Sequence, residues 1–162
     1  MALSGPVFFD TSVLLGGLIE QRGPRDPEQR ALTAVAAGKL PSPQTSWHCC
    51  LEFFSVATRL PEEYRVSPAD AALLVEEEIL ARFAVVDLPG AARRDLLRAA
   101  AADGIGGGRI YDAQIAESAR AAGARAVVTG NRRHFVTLLR HGIVVLTPDE
   151  LVREARLGAK ER

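Results

Sequence analysis

The sequence predicts an α/β fold: a three-layer α/β/α sandwich built on a mainly parallel central sheet of four to five strands. Short runs of β-branched and aromatic residues alternate along the chain with segments of helical pattern, which is the order typical of βαβ units. No Ser/Gly-rich linker and no internal repeat divides the 162 residues, a length that suits one hydrophobic core. We therefore expect one domain over residues 1–162, with its core at about 7–151 and a C-terminal helix and tail to 162.

Five apolar runs are candidates for the strands of this sheet. They lie at 7–9, 40–43, 83–88, 126–129 and 143–146. Ligands of parallel α/β sheets bind beyond the carboxyl ends of the strands, at the point where the strand order reverses. The polar residues directly after each run are therefore the first candidates for a functional site.

Capping residues and apolar spacing predict helices between the strands. Asp26-Pro27-Glu28 combines a capping side chain, a proline at the first helical position and an acid in the first turn. Thr147-Pro148-Asp149-Glu150 is a capping box that opens the last helix. In the third helix, Trp47, Leu51 and Phe54 are expected to form one apolar stripe. The other predicted helices begin at residue 11 or run over 26–38, 46–60, 67–80, 91–102, 109–122 and 135–140.

The composition excludes several classes of protein. Hydrophobic residues make up 48% and charged residues 25%, which is the balance of a globular domain rather than of a disordered or collagen-like chain. The only cysteines, Cys49 and Cys50, are adjacent, so they cannot join distant parts of the fold and make a poor zinc site. We expect a reducing compartment, the cytoplasm. With no basic start followed by an apolar run, and no apolar run near the roughly 20 residues that span a bilayer, neither a signal peptide nor a membrane anchor is expected.

The charges are balanced overall but unevenly placed. Residues 1–87 hold 12 acids and 7 bases, whereas residues 88–162 hold 8 acids and 13 bases. All but two of the 20 basic residues are arginine, whose planar fork suits phosphate groups. Zero net charge disfavours a protein that coats nucleic acid nonspecifically, but it allows a local basic surface beside an acidic site.

Polar side chains follow two of the predicted strands directly. Asp10 and Ser12 come after the first strand, and Thr129 and Asn131 come after the fourth. Each has a structural alternative, because a strand-end aspartate can form a turn or cap a helix and asparagine tolerates the left-handed turn conformation.

Two further carboxylates lie in apolar helical sequence. Glu52 would cost several kcal/mol if buried without a partner, so its alternatives to a functional role are an ion pair, for instance with Arg59, or a solvent-facing position. Asp112 shares a predicted helix face with Ile115 and Ala119, so it either caps the helix or points into a site.

Acids that meet in one site need a cation or raised pKa values. Two carboxylates about 4 Å apart repel by about 4 kcal/mol at an effective dielectric constant of 20. Ligands that are all oxygen suit Mg²⁺ or Mn²⁺ rather than zinc.

Four blocks, in their order along the chain, give the sequence a resemblance to a known family. The blocks are Phe8-Phe9-Asp10-Thr11-Ser12-Val13-Leu14-Leu15, Glu52 in its helix, Arg109-Ile110-Tyr111-Asp112-Ala113-Gln114-Ile115-Ala116 and Val127-Val128-Thr129-Gly130-Asn131-Arg132-Arg133-His134-Phe135. The sequence resembles PIN-domain ribonucleases, and among them the toxins of bacterial VapBC-type toxin–antitoxin pairs. The resemblance runs from residue 7 to about residue 151.

The resemblance implies a metal-dependent site. Asp10, Glu52 and Asp112 match the positions of the family's metal-binding acids, and Asn131 stands where the family often carries a fourth acid. In this interpretation Mg²⁺ or Mn²⁺, held by Asp10 and Asp112 with Glu52 nearby, orients a water for in-line attack on a phosphodiester of single-stranded RNA. The asparagine removes one negative charge from the site.

The resemblance also implies supporting and substrate-binding residues. Ser12 and Thr129 match polar residues that support the site. Arg109, Arg132 and Arg133 are candidates to contact the RNA backbone, with solvated surface arginines as the alternative.

Protein partners follow from the same resemblance. The family forms homodimers and is inhibited by an antitoxin whose tail enters the acidic groove. The large apolar side chains Trp47, Phe53, Phe54 and Tyr64, more than one helix face needs to bury, favour a homodimer here.

Two other functions remain open at this stage. A non-catalytic PIN-like protein would bind RNA or a protein and cut nothing, and Asn131 favours it. A metal-dependent phosphatase would use Asp10 as nucleophile, but such enzymes carry a second acid two residues on, where this chain has Ser12.

The histidines do not indicate a metal site. His48 and His134 show no spacing typical of metal ligands, and His134 is expected to pack or cap near the fourth strand.

Overall fold

A five-stranded, all-parallel sheet forms the centre of the protein, which we describe from a computed structural model over residues 3–19 and 27–160, with side chains to residue 156. The strand order is β3-β2-β1-β4-β5. This confirms the predicted fold class. The strands are β1 (Val7–Phe9), β2 (Pro43–Ser46), β3 (Ala84–Val86), β4 (Ala126–Val128) and β5 (Val144–Leu146).

Strand β1 lies at the middle of the sheet, and all three of its residues are fully buried. It pairs with β2 through Phe8↔Gln44 and with β4 through Phe9↔Val128. The chain thus builds the sheet outward on one side of β1, then crosses back and continues on the other side. The reversal lies between β1 and β4, where parallel α/β sheets open a crevice for ligands.

Helices cover both faces of the sheet. Parallel crossovers are right-handed, so the helices between β1 and β3 fall on one face and those between β3 and β5 on the other. On the first face α1 packs against α2 and α3, and α7 packs against α2; on the second face α6 packs against α5 and a 3-10 segment. The elements are α1 (Thr11–Leu18), α2 (Pro27–Ala36), α3 (Trp47–Ala57), α4 (Pro68–Leu74) with a π-helical extension (Val75–Leu80), α5 (Gly90–Ala102), α6 (Arg109–Ala121), the 3-10 segment (Arg132–His141) and α7 (Pro148–Lys160).

Helices α1 and α2 approach each other closely at a glycine. A Cβ atom added at Gly17 would lie 3.0 Å from the backbone oxygen of Glu28 and would also overlap the side chain of Leu32. The absence of a side chain at this position therefore lets α2 lie directly on the helix that follows β1.

Several helix starts agree with the sequence prediction. The backbone N–H of Thr147 donates to Glu150 Oε2 at 2.8 Å, and the N–H of Glu150 donates to Thr147 Oγ1 at 3.3 Å, which confirms the predicted capping box. Ser46 caps α3 by accepting from the N–H of Cys49. The predicted cap Asp26 lies outside the described residues.

Two sequence predictions about local structure were wrong. The second strand is at Pro43–Ser46 rather than at 40–43, because Gln44 and Thr45 pair with β1 and β3 despite being polar. The third strand, expected to be buried, is a partly exposed edge strand of three residues. In α3, the apolar stripe of Trp47, Leu51 and Phe54 is exposed, and the buried face is filled by Cys49, Cys50, Phe53 and Ala57.

No helix within the described residues is both long enough and apolar enough to cross a membrane.

Candidate active site

Asp10 lies at the carboxyl end of β1, beside the reversal of strand order. It is the N-cap of α1, and its Oδ1 accepts a 2.8 Å hydrogen bond from the N–H of Thr11. Its Oδ2 accepts from the hydroxyls of Ser12 at 2.9 Å and Thr129 at 2.8 Å. The residue is only 6% exposed. Three donors therefore fix this buried carboxylate in one orientation.

Ser12 and Thr129 connect the end of β1 to the loop after β4. Each hydroxyl donates to Asp10 and accepts a backbone N–H from that loop: Gly130 donates to Ser12 Oγ at 3.0 Å, and Asn131 donates to Thr129 Oγ1 at 2.9 Å. The two residues predicted to support the site are thus the two side chains that hold Asp10.

Burial raises the pKa of Asp10 above the ordinary aspartate value. The hydrogen bonds from Thr129, Ser12 and Thr11 oppose this shift, and the negative charge of Asp112 adds to it. The site thus holds a carboxyl whose charged form is disfavoured as it stands, which is typical of positions that await a cation or handle a proton.

Glu52, on α3, is connected to Asp10 through Thr11, which donates to both carboxylates. Its Oε2 accepts a 3.1 Å hydrogen bond from Thr11 Oγ1 and lies 3.6 Å from His48 Nε2. Partial burial raises the pKa of Glu52, as do the charges of Asp10 and Asp112, while Thr11 and His48 oppose the rise. Arg59, the alternative partner, instead donates to the backbone carbonyl of Ser55.

Asp112 lies in the first turn of α6 and is partly exposed. Its Oδ2 is 3.0 Å from Nδ1 of His134, in the 3-10 segment after β4. His134 therefore pairs with an acid of the site, contrary to the expectation that it would pack or cap near the fourth strand. Since the charge of Asp112 acts on both Asp10 and Glu52, the fold brings the three acids predicted from sequence into one electrostatic group.

Asn131 reaches this region through its backbone. Its N–H donates to Thr129 Oγ1, while its exposed side chain makes no capping hydrogen bond to the 3-10 segment. Its φ of −120° excludes the left-handed turn conformation that was its structural alternative.

The three candidate arginines differ in their surroundings. Arg109, the first residue of α6, and Arg133, in the 3-10 segment, are exposed. Arg132 is already engaged within the protein, because its Nη1 contacts Glu150 Oε1 at 3.0 Å and its Nη2 donates to the backbone oxygen of Val145 at 3.0 Å. Arg132 thus ties the 3-10 segment to β5 and α7.

The donor set fits Mg²⁺ or Mn²⁺ by its chemistry. All three acids offer carboxylate oxygens, and no lysine or arginine among the described residues forms an ion pair with any of them. Across the same residues, however, no three His, Cys, Asp or Glu side chains stand close enough to hold a metal ion as they are. The three acids thus interact electrostatically, but among the described residues they do not stand close enough together to form a complete set of metal ligands.

Two aromatic side chains beside the acids were missed by sequence reasoning. The rings of His48 and Tyr111 stack with centroids 5.4 Å apart and planes 15° apart. Each neighbours an acid: His48 contacts Glu52 one helical turn away, and Tyr111 directly precedes Asp112. Their position next to the predicted acids was the only signal in the sequence, since the contact itself joins two different helices.

Comparisons with known proteins agree with this architecture. Residues 7–138 match the family profile of the PIN domain. The comparison with curated protein sequences found no match. Among solved structures, VapBC2 from Rickettsia felis bound to a DNA fragment of its promoter is similar, with a TM-score of 0.58 and 16% identity over 88% of this chain and 98% of that chain.

Two further solved structures share the fold. One is FitAB bound to the IR36 DNA fragment, with a TM-score of 0.56 and 19% identity over 88% of this chain and 94% of that chain. The other is FitAcB from Neisseria gonorrhoeae, with a TM-score of 0.55 and 19% identity over 88% of this chain and 97% of that chain. The profile match covers most of the sequence and includes Asp10, Glu52, Asp112 and Asn131, so the chain belongs to the PIN-domain family.

Proposed function

We propose that this protein is a Mg²⁺- or Mn²⁺-dependent endoribonuclease that hydrolyses phosphodiester bonds of single-stranded or loop RNA, and that it is the toxin of a type II toxin–antitoxin system. PIN domains are nucleases, and the family match covers residues 7–138. The observation that carries the proposal is the Asp10 carboxylate, which is buried, accepts hydrogen bonds from three donors, has a raised pKa and lies in the field of Asp112.

The three acids would have different roles because their surroundings differ. Asp10 and Asp112 would hold the cation, with Asn131 offering an uncharged oxygen at the same edge. When bound, the ion supplies charge for the phosphate oxygens and lowers the pKa of water. Glu52 is held by Thr11, and its pKa is raised above the ordinary glutamate value by partial burial, which suits a group that accepts or holds a proton.

Exposed arginines would position the RNA backbone. Arg109 opens the helix that carries Asp112, and Arg133 lies in the segment that carries His134. Because phosphate contacts fix register rather than sequence, these side chains set where the strand lies on the protein. Arg132 contributes less to this role, since Glu150 already neutralises it.

An antitoxin protein is the proposed physiological partner, and a homodimer the proposed assembly, in the cytoplasm. The sequence resembles the toxins of VapBC-type toxin–antitoxin pairs, and one of the similar structures is titled VapBC2; two of the three titles name a bound DNA fragment. Exposed apolar side chains on α3, namely Trp47, Leu51 and Phe54, support a protein interface, while Phe53 belongs to the core. An antitoxin arginine that pairs with Asp10 or Asp112 would displace the cation.

Cleavage of RNA tests the enzymatic part of the proposal. Purified protein is incubated with Mn²⁺ and a panel of structured and unstructured RNAs, beside Asp10→Asn and the matched control Asp95→Asn, an exposed acid on α5. Wild type and the control should cleave unstructured RNA, and Asp10→Asn should not. Equal cleavage by wild type and Asp10→Asn would place the chemistry elsewhere or in a contaminant.

Growth tests the toxin part. Expression of the wild type should slow host growth, expression of Asp10→Asn should not, and co-expression of the neighbouring reading frame should restore growth. If the wild type harms growth no more than Asp10→Asn does, the protein is not a toxin, and the nuclease proposal stands on the cleavage result alone.

A non-catalytic, RNA-binding PIN-like protein is the second candidate. Asn131 in place of an acid and the lack of a closed metal cage among the described residues favour it. It predicts RNA binding without cleavage at any Mn²⁺ concentration.

A further inference from the structure

The stacked pair His48–Tyr111 spans the two helices that carry acids of the candidate site. His48 belongs to α3, as does Glu52, and Tyr111 belongs to α6, as does Asp112. The rings lie nearly parallel, 15° apart with centroids 5.4 Å apart, and His48 Nε2 is 3.6 Å from Glu52 Oε2. The stacked pair therefore joins the helix that carries Glu52 to the helix that carries Asp112.

Tyr111 is 55% exposed although its ring is large and already stacked on one side. It also lines a shallow, mainly apolar cavity of about 220 Å³ between α5 and α6, with Leu97, Arg93 and Gln114 among the other lining residues. Thus the ring that His48 supports borders an open space lined by apolar side chains, by Gln114 and by Arg93, whose Nε donates to the Leu88 carbonyl.

We propose that Tyr111, supported by His48, stacks with a nucleobase of single-stranded RNA next to the phosphodiester that is cut, and that the α5–α6 cavity receives this base. The inference rests on the proposed function and deepens it, because it assigns a binding role to two residues outside the acid cluster. Proteins that bind single strands use aromatic rings in this way, and every base presents a face to such a ring.

The chemistry of the surroundings supports a base rather than a phosphate at this position. Tyr111 directly precedes Asp112, so in the absence of a cation a phosphate at the ring would be repelled by that carboxylate, whereas an uncharged base would not. Gln114 offers both a donor and an acceptor to the edge of a base. Stacking on His48 fixes the tyrosine ring in advance, which reduces the ordering that binding must supply.

Binding without cleavage tests the proposal. The affinity of a short fluorescent single-stranded RNA is measured by anisotropy in EDTA for the wild type, Tyr111→Leu, Tyr111→Phe and the control Tyr64→Leu, which changes the other tyrosine of the chain. Tyr111→Leu should weaken binding by about 5- to 150-fold, as loss of one base stack does. Tyr111→Phe keeps the ring and should stay within about twofold of the wild type, as should Tyr64→Leu.

A second arm identifies the ligand as a base. Replacing single nucleotides by abasic ones along the RNA should weaken wild-type binding at one position, and Tyr111→Leu should show no such position. Circular dichroism of each variant shows that it is folded. Equal RNA affinity of the wild type and Tyr111→Leu, or no loss of affinity at any abasic position, overturns the proposed stacking role of Tyr111.

The outcome separates this inference from the proposed function. If the wild type cleaves RNA but its RNA affinity does not depend on Tyr111, the nuclease proposal holds and the stacking role of Tyr111 is wrong. If RNA affinity depends on Tyr111 but no cleavage occurs, the stacking role is supported and the nuclease proposal is wrong. If Tyr111→Leu changes the mass measured by light scattering but not the RNA affinity, the ring belongs to a protein interface and the stacking role is wrong.

Discussion

A hydrogen bond of 2.8 Å joins the side chains of Thr129 and Asp10, residues 119 positions apart in the sequence. It links the carboxyl ends of β1 and β4, between which the strand order reverses, because Asp10 follows β1 and Thr129 follows β4. The same hydroxyl accepts the N–H of Asn131, so it also fixes the loop beyond β4.

Replacing Thr129 by valine should remove both hydrogen bonds with little change of shape. We expect a loss of about 1–3 kcal/mol in the free energy of unfolding, since the hydroxyl donates to a buried carboxyl. Urea unfolding measures it. Thr33→Val is the control, because Thr33 Oγ1 bonds only its own helix at an exposed position, and it should change stability by less than about 0.5 kcal/mol.

The raised pKa of Asp10 makes its ionisation unfavourable for folding. The folded chain holds this proton to a higher pH than the unfolded chain does, so stability falls as the pH rises through the raised pKa, and the penalty vanishes below the ordinary aspartate value of 3.8. In EDTA, the melting temperature of the wild type should therefore fall relative to that of Asp10→Asn as the pH is raised from acid values to pH 7. A difference between the two melting temperatures that does not change with pH contradicts the shift.

Mn²⁺ should stabilise the wild type by mass action. At 100 times the dissociation constant the gain is about 2.7 kcal/mol, measured as a rise in melting temperature. Asp112→Asn should abolish or strongly reduce this rise, while Asp95→Asn, changed at an exposed position of α5, should keep it. An undiminished rise in Asp112→Asn would remove Asp112 from the metal site.

Converting Asn131 to aspartate should tighten metal binding. The added charge lies at the edge that carries Asp10 and is worth about 1 kcal/mol, or roughly fivefold in affinity. Isothermal titration calorimetry with Mn²⁺ measures it. Gln29→Glu adds the same charge on α2 and should leave the affinity unchanged. Equal or weaker binding by Asn131→Asp would mean that the side chain lies outside the metal's surroundings.

Replacing Gly17 by alanine should destabilise the protein, although glycine-to-alanine changes usually stabilise a helix. Alanine is better than glycine in most helices by about 1 kcal/mol, but here its Cβ would meet the Glu28 backbone and Leu32. Gly17→Ala should lower the free energy of unfolding by about 1–3 kcal/mol, as overpacking does. Gly90→Ala, where the added atom meets nothing within 4 Å, should be neutral or stabilising.

The sequence predicted the parts of the fold that local patterns determine. The capping box at Thr147 and the strand around Phe8 depend on neighbours in the chain, and both were found. The second strand was misplaced because its polar residue Thr45 is buried by pairing, with Oγ1 donating to the Phe9 carbonyl. Such a strand has no apolar pattern to read.

The same division holds at the candidate site. Asp10, Ser12 and Thr129 could be singled out because strand ends meet at one edge of a parallel sheet. The contacts of His134 with Asp112 and of Tyr111 with His48 join separate elements. They depend on how helices settle on the sheet, which spacing along one helix does not encode.

The central position of β1 also governs when the candidate site can exist. This strand is synthesised early, yet one of its two edges waits for β4, and Asp10 gains the Thr129 hydroxyl only after that strand has docked. Pairing over so long a separation forms late in folding. A nascent or truncated polypeptide that stops short of β4 also lacks Asp112 or its His134 contact. On the ribosome, the candidate site is therefore incomplete until β4 and the segment that follows it have emerged.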